Sequence, residues 1–182
     1  MMEVISKICV FCGSSSSPDP TFDGAARRMG QLIAKRGLHL IYGAGCTGMM
    51  GALARGALEA GGTVTGVTHR HEMAHASALN GLTHLEVMDT LPQRKNRMIE
   101  LADAFIILPG GYGTMDEFFD VLAMAQVGLH RKPIAVLDVA GYFDNLVAWI
   151  ERAAKEGYIG STDRGLLMIE NDPELLLQRI SI

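Results

Sequence analysis

The sequence predicts a doubly wound, Rossmann-like α/β fold, a parallel sheet of about seven strands with helices on both faces. Two observations lead there. Short β-branched or apolar runs recur along the chain with amphipathic stretches between them, the alternation that parallel βαβ units require. The stretches rich in glycine, serine or charge fall directly after those runs, at the strand ends where open α/β sheets hold their ligands.

Taken in order, the strand runs are Lys7 to Phe11, Leu38 to Tyr42, Thr63 to Val67, Leu85 to Val87, Ala104 to Leu108, Pro133 to Leu137 and Leu166 to Ile169. Between them, Ala25, Met29, Leu32 and Ile33, and later Leu146, Trp149, Ile150 and Ala153, repeat at helical spacing. The segment Phe118 to Leu129 is apolar on more than one face, as burial in a core or a dimer contact requires. No Pro/Ser-rich linker, low-complexity tract or repeat interrupts the pattern, so residues 1–182 read as a single domain, long enough for a substantial core.

Composition narrows the function classes. The chain is 48% hydrophobic and 20% charged, with a formal net charge of -4 and a sequence pI of about 5.8. A mildly acidic chain without a basic block is no general nucleic-acid binder, because phosphate neutralisation supplies most non-specific affinity. No window approaches the roughly 20 apolar residues needed to cross a bilayer, and no basic leader precedes an apolar stretch. A cytoplasmic protein without a membrane partner is expected. Cys9, Cys12 and Cys46 form an odd set without disulfide-framework spacing. Cys9 and Cys12 lie three apart on a strand and so face opposite ways, as buried structural thiols.

Five strand ends carry unusual sequence: CGSSSSPD, YGAGCTG, THRHE, MDTLPQRK and LPGGYGT. Gly43-Ala44-Gly45-Cys46-Thr47-Gly48 matches the dinucleotide fingerprint GxGxxG. That fingerprint normally follows the first strand and expects an acid about 20 residues on, at the end of the next strand. Here the first turn is Cys12-Gly13-Ser14-Ser15, and the strand after the fingerprint ends Val67-Thr68-His69, without an acid. NAD and FAD are therefore disfavoured. Taken alone, the Gly43 loop fits either a tight turn that lets a helix pack closely or an anion site made of backbone amides. A second glycine turn, Pro109-Gly110-Gly111-Tyr112-Gly113-Thr114, adds free amides at a neighbouring strand end and favours a mononucleotide or sugar phosphate.

Two further motifs compete for a role. His71-Glu72-Met73-Ala74-His75 satisfies the zinc pattern HExxH, but its continuation lacks the GxxH of the longer zinc-protease signature, and no third ligand stands at a recognised spacing. A zinc hydrolase using His71, Glu72 and His75 is the weaker alternative, and no metal is expected. Arg94, Lys95 and Arg97 put three cations in four residues just before the helix that runs to Ala102. The usual reading is a solvated basic face. An arginine fork bordering the crevice would instead anchor phosphate or carboxylate, with Arg94 and Arg97 sharing one helical face.

The combination FCGSS, IYGAGCTGMMG, QRKNRM and PGGYGTMDE resembles the Lonely Guy (LOG) family of cytokinin-activating phosphoribohydrolases, often mislabelled lysine decarboxylases, over about residues 7 to 160. The resemblance implies a Rossmann-like homodimer that hydrolyses the N-glycosidic bond of a nucleoside 5'-monophosphate, typically an N6-substituted adenosine monophosphate, without a cofactor. It places the catalytic pair on Arg94 and Glu117. Substrate contacts fall on Arg94, Lys95 and the loop Gly110, Gly111, Tyr112, Gly113, Thr114, Met115 and Asp116, with Gly13, Ser14, Gly45 and Glu72 as further contacts. The chain departs from the family where Leu91-Pro92-Gln93 replaces the frequent Met-His. A decarboxylase would need pyridoxal phosphate and a Schiff-base lysine, and of five lysines only Lys95 stands near the site. The second class that remains is a nucleotide or molybdenum-cofactor binding protein of related fold, without hydrolysis.

Chemistry assigns the parts. Breaking a ribosyl C–N bond builds positive charge on the sugar, so the site must hold a phosphate while presenting a carboxylate to an oxocarbenium-like centre. Glycine-loop amides and Thr114 are expected at the phosphate, Glu117 at the ribose, and Arg94 where the base departs. Thr114-Met115-Asp116-Glu117 also fits the capping box T-x-x-E, in which Glu117 would fold back on the helix start. The functional reading requires Glu117 to turn toward the sugar instead.

Overall fold

The structure is a computed structural model that describes residues 4–72, 79–160 and 162–180. Seven strands form one parallel sheet: β1 (Lys7–Phe11), β2 (His39–Tyr42), β3 (Val64–His69), β4 (His84–Met88), β5 (Ala104–Ile107), β6 (Ile134–Leu137) and β7 (Leu167–Glu170). Among the described residues six α-helices accompany it: α1 (Pro20–Lys35), α2 (Gly48–Glu59), α3 (Leu91–Leu101), α4 (Tyr112–Gln126), α5 (Asp144–Lys155) and α6 (Pro173–Ile180). Every expected strand is present. The largest boundary difference is β3, which runs on through Thr68 and His69 because both pair with β4, at Val87 and Met88.

The strand order is β4-β3-β2-β1-β5-β6-β7. Chain order runs one way from β1 to β4 and the other way from β5 to β7. The loops leaving β1 and β5 therefore part to opposite faces, and the switch point between them opens a crevice at the carboxyl ends of the strands. Alternation along β1 assigns each sheet face its core. Ile8, Val10 and Cys12 pack beneath α1 and α2, while Cys9 and Phe11 face α3 and α4 with Phe105 and Phe118. Cys9 and Cys12 do lie on opposite faces, and burial pushes both thiols up from their ordinary pKa. Cys46 is only half-buried.

Local chemistry sets the helix starts. Asp19 caps α1 by accepting from the Thr21 amide at 2.9 Å, with Pro20 at the first helical position. The capping box the chain does use belongs to α3: Thr90 Oγ1 accepts from the Gln93 amide at 3.4 Å and Gln93 Oε1 from the Thr90 amide at 3.1 Å. That box starts α3 at Leu91, so Arg94, Lys95 and Arg97 lie within the helix rather than before it. The segment Phe118 to Leu129 divides, with Phe118, Val121 and Ala125 buried and Phe119, Val127 and Leu129 exposed. In α5 no residue is fully buried, and Trp149 meets Phe119 edge-on at 5.8 Å on the surface.

Candidate active site

A cleft of about 900 Å³ opens at the switch point. The β1 loop supplies Cys12 to Ser17, the β2 loop and α2 supply Gly43, Gly45 to Thr47, Met49 and Met50, and the β5 loop and α4 supply Pro109 to Thr114 and Glu117. Phe22, Glu72, Leu91, Arg94 and Tyr142 complete the walls.

Arg94 and Glu117 form its buried polar centre. Arg94 Nη1 donates to Glu117 Oε1 at 3.1 Å, with the two side chains only 7% and 6% exposed. Arg94 Nε donates to the Val67 carbonyl at 2.9 Å and Nη2 to the Gly43 carbonyl at 3.0 Å. The guanidinium thus ties together the ends of β2, β3 and the first turns of α4. Burial pushes the Glu117 carboxyl up to about 7, outweighing the pull of Arg94 in the opposite direction, while Asp116 adds to the rise.

Glycine at position 43 has a specific cause. A Cβ built there would stand 2.0 Å from Arg94 Nη2, so the residue must be bare for the guanidinium to reach the carbonyl. The first glycine of the apparent dinucleotide fingerprint therefore serves Arg94. The last, Gly48, has φ +56 and backs onto the Ser15 carbonyl, where a Cβ would lie at 2.4 Å. Gly43→Ala is expected to displace the Arg94 fork while leaving the sheet intact, lowering activity about 10²-fold, as a misplacement of about 1 Å can. Steady-state kinetics alongside a circular dichroism spectrum would check it.

The helix starts at Gly111 as its cap, three residues before Thr114, and no side chain caps it. Thr114 and Glu117 accordingly lie inside α4, and the T-x-x-E capping reading is overturned. Glu117 faces Arg94 and the cleft. The amides of Tyr112, Gly113 and Thr114 lack acceptors within the helix, leaving a positive helix end on the cleft. Gly110 packs so closely that a Cβ would meet Thr114 Oγ1 at 2.1 Å.

Of the residues the sequence singled out, Gly13, Ser14, Gly45, Glu72, Arg94, Gly110, Gly111, Tyr112, Gly113, Thr114 and Glu117 line one cleft. Lys95, Met115 and Asp116 do not. Lys95 Nζ donates to Asp116 at 2.9 Å and pairs with Asp120 at 3.1 Å, tying α3 to α4, while Met115 packs against the core. Partial burial pulls the Lys95 ammonium down, but the bonds to Asp116 and Asp120 outweigh it and hold the pKa above its usual value. A lysine so held does not fit a Schiff base with pyridoxal phosphate. Arg97 does not share Arg94's surroundings: it grips Glu86 at 2.6 and 3.1 Å away from the cleft.

His71 and Glu72 sit in an exposed single turn, Arg70–Glu72, and His75 lies outside the described residues. Among the described residues no group of three His, Cys, Asp or Glu side chains could hold a metal ion. Sequence reasoning overlooked Phe22, Met49, Met50 and Tyr142, which together with Leu91 give the cleft its apolar walls. The rule that marked the other loops passes over Tyr142, because the strand run ending at Leu137 is followed by Asp138-Val139-Ala140-Gly141, without a cluster of charge or glycine.

Residues 50–180 match the family model described as "Possible lysine decarboxylase". The chain is 38% identical to cytokinin riboside 5'-monophosphate phosphoribohydrolase LOG7 of Arabidopsis thaliana, over 94% of this chain and 80% of that one. It is 43% identical to the cytokinin riboside 5'-monophosphate phosphoribohydrolase of Rhodococcoides fascians, over 92% of this chain and 85% of that one. Among solved structures it superposes on the molybdenum cofactor binding protein of Rippkaea orientalis with a TM-score of 0.73, covering 99% and 97% of the two chains at 23% identity, a likeness of fold alone. Identities of this size across nearly the whole chain show that it belongs to the LOG family of phosphoribohydrolases.

Proposed function

We propose that the protein hydrolyses the N-glycosidic bond of adenosine 5'-monophosphate or its N6-substituted forms, releasing the free base and ribose 5-phosphate. The observation that carries this reading is the position of Glu117 on α4. It lies five residues beyond Tyr112, which opens the uncapped helix end. At about 1.5 Å per residue that separation is about 7.5 Å along the axis, the scale of one phosphoribosyl group. A phosphate on the free amides would bring the anomeric carbon level with the carboxylate.

In that arrangement Glu117 stabilises the positive charge that develops as the C1'–N bond stretches, and it orients the water that supplies hydroxide to C1' and a proton to the departing base. Arg94 fixes the carboxylate and keeps it partly charged against burial. Phe22, Met49, Met50 and Leu91 offer apolar surface to the base, and Leu91 opens the Leu91-Pro92-Gln93 segment by which this chain departs from the family's Met-His. We read the chain as a single-domain, cytoplasmic homodimer. Three free cysteines support a reducing compartment, and the exposed Phe119–Trp149 pair supports a covered face on α4 and α5. No helix of the described residues is long and apolar enough to cross a membrane.

Incubation with adenosine monophosphate and with its N6-isopentenyl analogue, followed by chromatography, is expected to yield free base from at least one. Binding without base release from either would overturn the reading in favour of a carrier. The active form carries Glu117 charged, so kcat/KM is expected to rise with pH through about 7. The nucleotide's own second ionisation falls lower, near pH 6. A profile flat between about pH 6.5 and 8 would remove Glu117 from the reacting centre.

A further inference from the structure

We infer that Tyr142 is a positioning residue that holds the phosphate-binding turn in its working orientation, acting through the Gly110 carbonyl. The Tyr142 hydroxyl donates to that carbonyl at 2.7 Å, across 32 positions of sequence. Gly110 and Gly111 are the two residues before α4, so the bond lands on a Gly–Gly peptide, the peptide least restrained by side chains. In a planar trans peptide the C=O and the next N–H point in opposite directions. Holding the Gly110 oxygen therefore fixes the Gly111 N–H, the first amide at the open end of α4. Rotation of that peptide would present an oxygen where an anion needs a donor.

The turn that delivers Tyr142 is built for it. After β6 the chain places Ala140 at φ 53 and Gly141 at φ +71, two successive left-handed residues. An alanine in that region is strained and persists only where its surroundings impose it. Among the described residues only Ala44 shares the feature without being glycine, and it lies in the Gly43 loop beside the same cleft. The turn is closed by the Phe143 amide donating to Asp138 Oδ1 at 2.9 Å and by the Tyr142 amide donating to the Val139 carbonyl at 3.1 Å. Phe143 is buried, which anchors the turn, while the Tyr142 ring stays half-exposed, edge-on to Phe22 at 5.8 Å and to Phe143 at 5.1 Å. A half-exposed tyrosine contributes little to the core. Its hydroxyl, strung between a strained turn and a Gly–Gly peptide, is explained by what it holds.

This inference rests on the reading that the α4 end takes the 5'-phosphate, and its test separates the two. Tyr142→Phe keeps the ring and its contacts and removes only the donor. Its KM for the nucleoside monophosphate is expected to rise about tenfold, with kcat changed little, the effect of losing one well-placed hydrogen bond. Calorimetric binding of ribose 5-phosphate should weaken by a similar factor, with the melting temperature unmoved. Unchanged KM and unchanged ribose 5-phosphate binding would overturn the role of Tyr142. An equal loss of affinity for the free base, which carries no phosphate, would overturn it as well. Failure of the parent protein to release base from any nucleotide would instead sink the hydrolase reading, and the ribose 5-phosphate arm would still report on Tyr142.

Discussion

Glu117→Gln is expected to fold like the parent protein and to lose base release by about 10³-fold or more, the combined scale of a lost acid–base group and a lost electrostatic stabiliser. Glutamine is isosteric and keeps an oxygen for the Arg94 Nη1 bond that Glu117 accepts at 3.1 Å. What disappears is the negative charge that an oxocarbenium-like centre requires. Burial has already raised the carboxyl from 4.5 to about 7, so the fold accommodates a neutral side chain there. The sign of the stability effect follows. Between pH 4.5 and about 7 the folded protein holds a proton that the unfolded chain releases, so native stability declines as pH rises through that window. The glutamine variant escapes the decline and should melt at a progressively higher temperature than the parent between pH 5 and 8. Release of ribose 5-phosphate at the parental rate would refute the catalytic assignment. A melting temperature lowered equally at every pH would point to a packing role.

The sequence made the strands legible because each is a short apolar run followed by punctuation, and the parallel order followed from alternation with helices. The site was legible where chemistry leaves a local trace: glycines at strand ends, and an acid one turn into the helix after them. The T-x-x-E pattern offered a capping box that the fold does not use, because such a box is defined by where the helix begins. Gly111, with no side chain to show for it, begins α4 ahead of Thr114. QRKNRM was ambiguous in a different way, since its three cations in four residues look alike in sequence. Helical geometry sends them to three surroundings: Arg94 inward, Lys95 to Asp116 and Asp120, and Arg97 to Glu86. No local pattern marks which cation will be buried, because the acceptors for Arg94 come from Gly43, Val67 and Glu117 on other elements. Tyr142 lay beyond reach for the same reason, its partner being a backbone carbonyl.

Removing Arg94 should be damaging in two separable ways. Arg94→Ala leaves the Gly43 and Val67 carbonyls without their donor and Glu117 buried without a cation. Breaking a buried pair from one side costs about 3–5 kcal/mol when the remaining charge cannot neutralise. Here it can, because losing Arg94 removes a pull that lowers the Glu117 carboxyl, whose pKa must then rise further above 7. The variant is therefore expected to lose at pH 5, where Glu117 takes a proton, only what the two orphaned carbonyls and the vacated volume cost, and progressively more as pH climbs past neutrality. Its remaining activity should appear only at alkaline pH. Arg94→Lys would retain a charge but not the fork that serves three acceptors, and it should recover little turnover. The double variant Arg94→Leu/Glu117→Leu decides what the pair is for. A buried ion pair replaced by apolar side chains of similar volume is often neutral or stabilising. If the pair exists for chemistry, that double variant should carry only the pH-independent cost of the Gly43 and Val67 carbonyls left without a donor, melt at one temperature across pH 5 to 8, and release no base. A double variant as unstable as Arg94→Ala at alkaline pH would make the pair a structural clamp, and the hydrolytic centre would have to lie elsewhere in the cleft.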